Sequence, residues 1–278
     1  MNEIFNQMMS LHKREGADGE KNALYEVMQQ IVLSGLYRGG FFNEAAFYGG
    51  TCLRIFYGLK RYSEDMDFCL LAKNPDFSLE RYFPAIIEEA RLLGREIVIT
   101  KKDKKNFSRV ESAFLKDNTD VYNLAFATDK TLKIKIEVDI DPPLGFKTEQ
   151  KLLMLPFSFN TRCMVPSDLY AGKMHALVFR QWKNRIKGRD WYDFEWYVRN
   201  RIPLDFKHLQ ERAKEFNDIE LTKEGFIKML KERFANADIK QVKEDVLPFI
   251  ENVHELDIWS NEYFIQLCDM IVFEQECL

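Results

Sequence analysis

Asp65 and Asp67 flank Met66 at the start of a run, DMDFCLL (residues 65–71), that alternates polar and apolar as a half-buried strand does. A two-residue period sends both carboxylates to one face and Met66 and Phe68 into the core. Two acids this close repel each other unless a cation sits between them. Magnesium favours such a site, taking one or two carboxylates and completing its shell with phosphate oxygens. A D-x-D pair alone also occurs on ordinary surface strands, so its surroundings matter. Upstream, Gly49-Gly50-Thr51 lies between a predicted strand, AAFY (45–48), and a helical stretch, TCLRIFYGL. Glycine lets a backbone approach a phosphate, and the following helix directs free N–H groups at it. The same glycines suit a strand-to-helix turn that needs only its geometry. Ser63, after Arg61 and Tyr62, either binds phosphate or caps a turn.

Two-metal phosphoryl chemistry calls for a third acid, and for a group that can take a proton from an attacking hydroxyl. The run TLKIKIEVDID (131–141) offers two candidates. Ile134, Ile136, Val138 and Ile140 share one face of this strand, and Lys133, Lys135, Glu137, Asp139 and Asp141 share the other. Glu137, deeper in the strand, is preferred, with Asp139 as the alternative. Alternating Lys and Glu making cross-strand pairs would give the same pattern. Further on, Lys173, Ala176 and Arg180 fall on one helix face, giving two cations there. Arg189 and Asp190 open the next helix, with Asp193 and Tyr197 on a related face. Two cations can clamp a polyphosphate, or the same residues can pin two helices by ion pairs. Asp190 also suits a helix N-terminus on dipole grounds. His175, beside Met174, reads as a packing or hydrogen-bonding residue.

The elements that must carry these side chains follow from periodicity. Residues 21–37 form an amphipathic helix. Residues 78–94 form another, with Ser78 as N-cap, Pro84 interrupting and Gly94 as stop. Strands are expected at 95–102, 109–115, 123–128 and 131–141, with Pro142-Pro143 ending the last. After a loop around Pro156 the pattern turns helical, one helix starting near Pro166 to Asp168 with Ser167 as cap and another near Asp190. This is an α+β chain with a boundary near 160–166, giving domains 1–163 and 164–278.

At 278 residues, 46% hydrophobic and 30% charged, the chain can bury a real core as one large domain or two modest ones. A net charge of −4 excludes a uniformly basic nucleic-acid binder, although two basic runs stand out. Lys101–Lys105 reads as a solvated turn. The run from Arg180 to Arg189, with Lys183, Arg185 and Lys187, lies beside the candidate chemistry and is read as functional. Five unclustered cysteines argue against a disulfide framework and structural zinc, and suggest a reducing cytoplasm. No apolar stretch is long enough to cross a membrane, and the first residues are polar rather than signal-like. A G-x-x-x-x-G-K-[ST] loop, a kinase signature set and a G-x-S-x-G elbow are all missing, which disfavours the common ATPase, kinase and hydrolase chemistries.

Three blocks in order, FYGGTCLRIFYGLKRYSEDMDFCL, KIKIEVDI and KMHAL followed by RDWYDFEWYV, resemble the AbiEii/AbiGii toxin family of nucleotidyltransferase-like proteins. The resemblance spans roughly residues 47–198. It implies a DNA-polymerase-β-like nucleotidyltransferase core with a mixed sheet, followed by a helical C-terminal domain that contributes Lys173 and Asp190 to the site. It implies Mg2+ (or Mn2+), an NTP donor, and transfer of NMP to an acceptor, in parts of the family the 3′ end of tRNA. It also implies membership of a bacterial toxin–antitoxin or phage-defence pair with a cognate antitoxin. Carried over by position, Gly49, Gly50 and Ser63 would lie around the triphosphate, with Thr51 a further nucleotide-binding candidate in the same turn; Asp65 and Asp67 would hold metal, and Glu137 would be the third acid. Lys173 and Asp190 match the family's downstream lysine and aspartate, with Arg180 beside them on the nucleotide. Cys52 and Met66 depart from the usual residues at their positions, and both are compatible with an active site. A phosphotransferase, a transferase that labels protein, and a non-catalytic nucleotide- or RNA-binding module are the alternatives on the same fold.

Overall fold

The computed structural model describes residues 2–12, 19–101, 119–126, 132–180 and 186–275. Two compact units emerge: residues 1–56, 63–144 and 148–163 form the first, and 57–62, 145–147 and 164–278 the second. The helical unit thus takes in two short segments that precede its main run of sequence.

The first unit carries a mixed seven-stranded sheet in the order β3-β4-β5-β2-β1-β7-β6. Its elements are α1 (Glu3–Leu11), α2 (Gly19–Arg38), β1 (Ala45–Tyr48), α3 (Gly49–Tyr57), β2 (Met66–Leu70), α4 (Phe83–Leu92), β3 (Ile97–Lys101), β4 (Thr119–Phe126), β5 (Leu132–Asp139), β6 (Thr148–Leu153) and β7 (Phe159–Met164). In β5 the alternation is realised as expected: Leu132, Ile134, Ile136 and Val138 are buried, while Lys133, Lys135, Glu137 and Asp139 are not. β2 pairs parallel to β5 and antiparallel to β1, so the aspartate strand lies between the glycine-turn strand and the third-acid strand. Phenylalanines fill the layer beneath: Phe47 stacks on Phe68 at 4.9 Å and Phe41 meets Phe68 edge-on at 5.1 Å.

Three local expectations change. Pro84 opens α4 instead of interrupting it, because a first-turn N–H has no helical partner to lose. Ser78 caps the preceding 3-10 turn, accepting from the Glu80 N–H at 3.3 Å. β6 and β7 occupy a region read as loop and helix approach. β6 is a sheet edge with no buried apolar face, and β7 buries Thr161 and Cys163 where a clearer strand would show branched aliphatics. The predicted strand 109–115 and the end of the one at 123–128 lie outside the described residues.

The second unit comprises α5 (Pro166–Phe179), α6 (Gly188–Arg199), α7 (Phe206–Asn217), α8 (Lys223–Ala235), α9 (Ile239–Val246) and α10 (Asn261–Cys268). Val165 occupies the N-cap of α5; Ser167 sits inside the first turn and donates to the Asp168 carboxylate at 3.2 Å. Trp191, Phe234 and Phe264 interlock at centroid distances of 4.6, 4.7 and 5.3 Å, and Tyr170 stacks on Tyr197 at 4.2 Å. Among the described residues, no helix is long and apolar enough to cross a membrane.

Helices α2 and α4 approach closely because Gly35 has no side chain; a Cβ there would lie 2.6 Å from the Ile86 Cα. Backbone against backbone leaves no soft side chain to yield. Gly35→Ala is therefore expected to destabilise the protein by about 1–3 kcal/mol through overpacking, read as a lower urea midpoint at unchanged slope.

Candidate active site

Strand register builds the acidic face of the sheet unit. Tyr48 on β1 is opposite Asp67 on β2, and Asp67 is opposite Glu137 on β5, forming one row across three strands. The next row on the same face is Ala46, Cys69 and Asp139. Glu137 is thus the immediate cross-strand neighbour of Asp67, and Asp139 lies one rung farther along. Asp65 immediately precedes β2 with the same parity as Asp67.

The first residue of α3 fits closely against this row. Gly49 has φ +81°, and a Cβ there would lie 3.0 Å from both Cβ and Cγ of Asp67. Backbone conformation and space each require glycine at this position. Thr51 is buried, and its hydroxyl donates to the Asp65 carbonyl, so its side chain fixes the entry to β2. Gln29 Nε2 donates to the carbonyls of Ser63 at 2.9 Å and Glu64 at 3.2 Å, holding the same entry from α2. Gly50 follows in the first turn of α3, and Ser63 is buried at the approach to Asp65.

The electrostatics reflect concentrated negative charge. Lys135 forms an ion pair with Glu137. Burial opposes its charge, but Glu137, Asp65 and Asp67 outweigh burial and raise its pKa. Burial, followed by Asp67, Asp139 and Glu137, pushes the Tyr48 hydroxyl well above the ordinary phenol range. Hard carboxylate oxygens of this kind suit Mg2+ or Mn2+. Among the described residues, no group of three or more His, Cys, Asp or Glu side chains is gathered into a ready metal cage.

The helical unit contains a buried ion cluster of its own. Lys173 Nζ lies 2.7 Å from Asp190 Oδ1 and 2.8 Å from Asp193 Oδ2. Arg61 grips Asp193 with two bonds, Nε to Oδ1 at 2.6 Å and Nη2 to Oδ2 at 2.7 Å. Arg180 directly follows α5 in an extended conformation and reaches Asp190 Oδ2 at 3.8 Å. Burial opposes ionisation of both acids, yet Lys173 and Arg180 hold Asp190, and Arg61 and Lys173 hold Asp193, below the ordinary carboxylate range. Of the residues singled out by sequence, Lys173, Asp190, Asp193 and Arg180 are together here. Arg61 was passed over as a residue between motifs; its pairing with Asp193 across 132 positions leaves no local signal. His175 bonds Asn217 Oδ1 at 2.8 Å. Lys183 and Arg185 of the basic run, and residues 102–105 of the other, lie outside the described residues.

Arg61 and Asp193 are almost fully buried, so removing either strands a charge. Arg61→Ala or Asp193→Ala should cost about 3–5 kcal/mol of stability, measured by urea unfolding. The acids' depressed pKa values stabilise the fold above the ordinary carboxylate range. This contribution should fade as pH falls below about 4, and the Asp193→Ala variant should show a weaker acid dependence than the parent.

Two crystal structures share the fold. One, from H. pylori and provisionally described as a nucleotidyltransferase, has 20% identity and a TM-score of 0.51, covering 90% of this chain and 93% of its own. The other, JHP933 from Helicobacter pylori, has 18% identity and a TM-score of 0.50, covering 90% of each chain. No curated protein matches the sequence significantly. The family model for the nucleotidyl transferase AbiEii toxin of type IV toxin–antitoxin systems matches residues 31–264. The match contains the glycine turn, both aspartates, Glu137 and the Lys173–Asp190 cluster, and the chain belongs to the AbiEii nucleotidyltransferase toxin family.

Proposed function

We propose that the protein transfers a nucleotidyl group from an NTP to an acceptor hydroxyl on RNA, with the 3′ end of tRNA as the favoured acceptor. The observation that carries this reading is the row made by Asp67 and Glu137, with Gly49 packed against Asp67. Such a row brings hard oxygen ligands beside a turn whose backbone N–H groups can meet phosphate. Asp65 and Asp67 would hold the metal, and Glu137 would be the third acid. Bound there, Mg2+ or Mn2+ would polarise the phosphate and offset its charge.

In the proposed reaction the acceptor oxygen bonds to the α-phosphorus, the bond to the β-phosphate oxygen breaks, and pyrophosphate leaves. Glu137 takes the proton of the attacking hydroxyl, while Gly49, Gly50, Thr51 and Ser63 orient the triphosphate. Thr51 contributes through its backbone, since its hydroxyl is engaged with Asp65. Lys173 and Asp190 are proposed nucleotide contacts by family position, and Arg180 by its place beside them, alongside their structural pairing. A cognate antitoxin is the expected cellular partner.

The test uses magnesium, α-labelled NTPs and total cellular RNA with the purified protein. Label should enter tRNA-sized RNA, and Asp65→Ala or Asp67→Ala should lower the rate at least about 100-fold while the protein remains folded. Chelation should abolish labelling, and added Mg2+ or Mn2+ should restore it. Label in protein, or transfer only from γ-labelled NTP, would replace this reading with protein modification or phosphotransfer.

A further inference from the structure

Lys133 and Lys135 leave the same face of β5, but their surroundings differ. Lys133 is exposed, whereas Lys135 is half-buried and forms an ion pair with Glu137. On the β4 side the cross-strand neighbour of Lys135 is Asn123, an amide that offers an ammonium no counter-charge. On the β2 side, Met66 is opposite Ile136 and Asp67 opposite Glu137. Continuing that register by one step brings Asp65 beside Lys135. Glu137, then Asp65 and Asp67, act on the charge of Lys135. An ordinary surface pair joins one lysine to one acid across neighbouring strands. Here the ammonium lies among the acids proposed to hold metal.

We infer that Lys135 is a built-in counter-cation that holds Glu137 in the nucleotide-free protein and passes to the triphosphate when metal and NTP arrive together. The inference rests on the transfer reading and deepens it, by making metal binding depend on nucleotide. A divalent cation entering alone meets the repulsion of the ammonium. It must also separate Lys135 from Glu137, leaving the ammonium half-buried without its counter-charge. A triphosphate entering with the metal supplies that counter-charge. Lysine suits such an exchange of partners, because its ammonium is a compact point charge on a flexible stem. Once Lys135 has moved, the Glu137 carboxylate is released to take the proton of the attacking hydroxyl.

Binding measurements read this role without turnover. Mn2+ would be titrated into the full-length protein, alone and then with a triphosphate analogue that resists transfer, following free Mn2+ by electron paramagnetic resonance. Urea unfolding would establish that each variant is folded. Lys135→Met should bind Mn2+ alone at least about 10-fold more tightly than the parent. The same variant should bind the analogue in excess Mn2+ at least about 10-fold more weakly. Lys135→Arg keeps the charge and should lie closer to the parent in both titrations. A merely structural lysine would not move the two affinities in opposite directions. Equal Mn2+ affinity in Lys135→Met and the parent, or undiminished affinity for the analogue, would overturn the inference and leave the transfer reading standing. Failure of that reading looks different: the parent and Asp65→Ala would bind Mn2+ and the analogue alike, and the inference would fall with it.

Discussion

Asp67 and Glu137 are fixed side by side by the parallel register of β2 and β5, and two neighbouring carboxylates repel unless positive charge lies near. Much of the sheet unit can be understood as holding that unfavourable arrangement in place. Thr51 and Gln29 tie down the chain entering β2, Gly49 yields the space beside Asp67, and Phe47 and Phe68 pack the opposite face. Lys135 partly neutralises the row through Glu137. A protein with no use for the acids could relieve the repulsion with one amide substitution.

The helical unit solves a similar electrostatic problem in a different way. Its acids, Asp190 and Asp193, are surrounded by Lys173, Arg61 and Arg180, and the mutual pairing keeps all of them charged under burial. Burying such a cluster gains little stability compared with an apolar core, whereas breaking it is costly. It therefore specifies which parts of the chain come together: Arg61 draws the short segment 57–62 into a unit otherwise built from residues 145–147 and 164–278. Around it, Trp191, Phe194, Phe234 and Phe264 supply the non-specific burial.

What could be read from the sequence was whatever has a local period or a motif. The alternation of β5, the glycine turn, the parity of Asp65 and Asp67 and the two helices bearing Lys173 and Asp190 were all visible, because each depends on residues a few positions apart. Glu137 was preferred over Asp139 by its depth in the strand; the register gives a sharper distinction, making Glu137 the direct neighbour of Asp67. β6 and β7 escaped notice because their stability comes from joining an existing sheet rather than from apolar alternation. Arg61 escaped it too, since its role arises from pairing with Asp193, far away in sequence.

The measurement that most directly tests the central claim is the location of a metal. Crystals grown with Mn2+ and an NTP analogue that resists transfer would be examined for anomalous scattering. The account predicts a Mn2+ peak bonded to carboxylate oxygens of Asp65 and Asp67 at about 2.1 Å, a distance like that of magnesium, with triphosphate oxygens completing the shell. A triphosphate bound with its metal away from both aspartates would contradict the assignment of the acidic row as the catalytic centre.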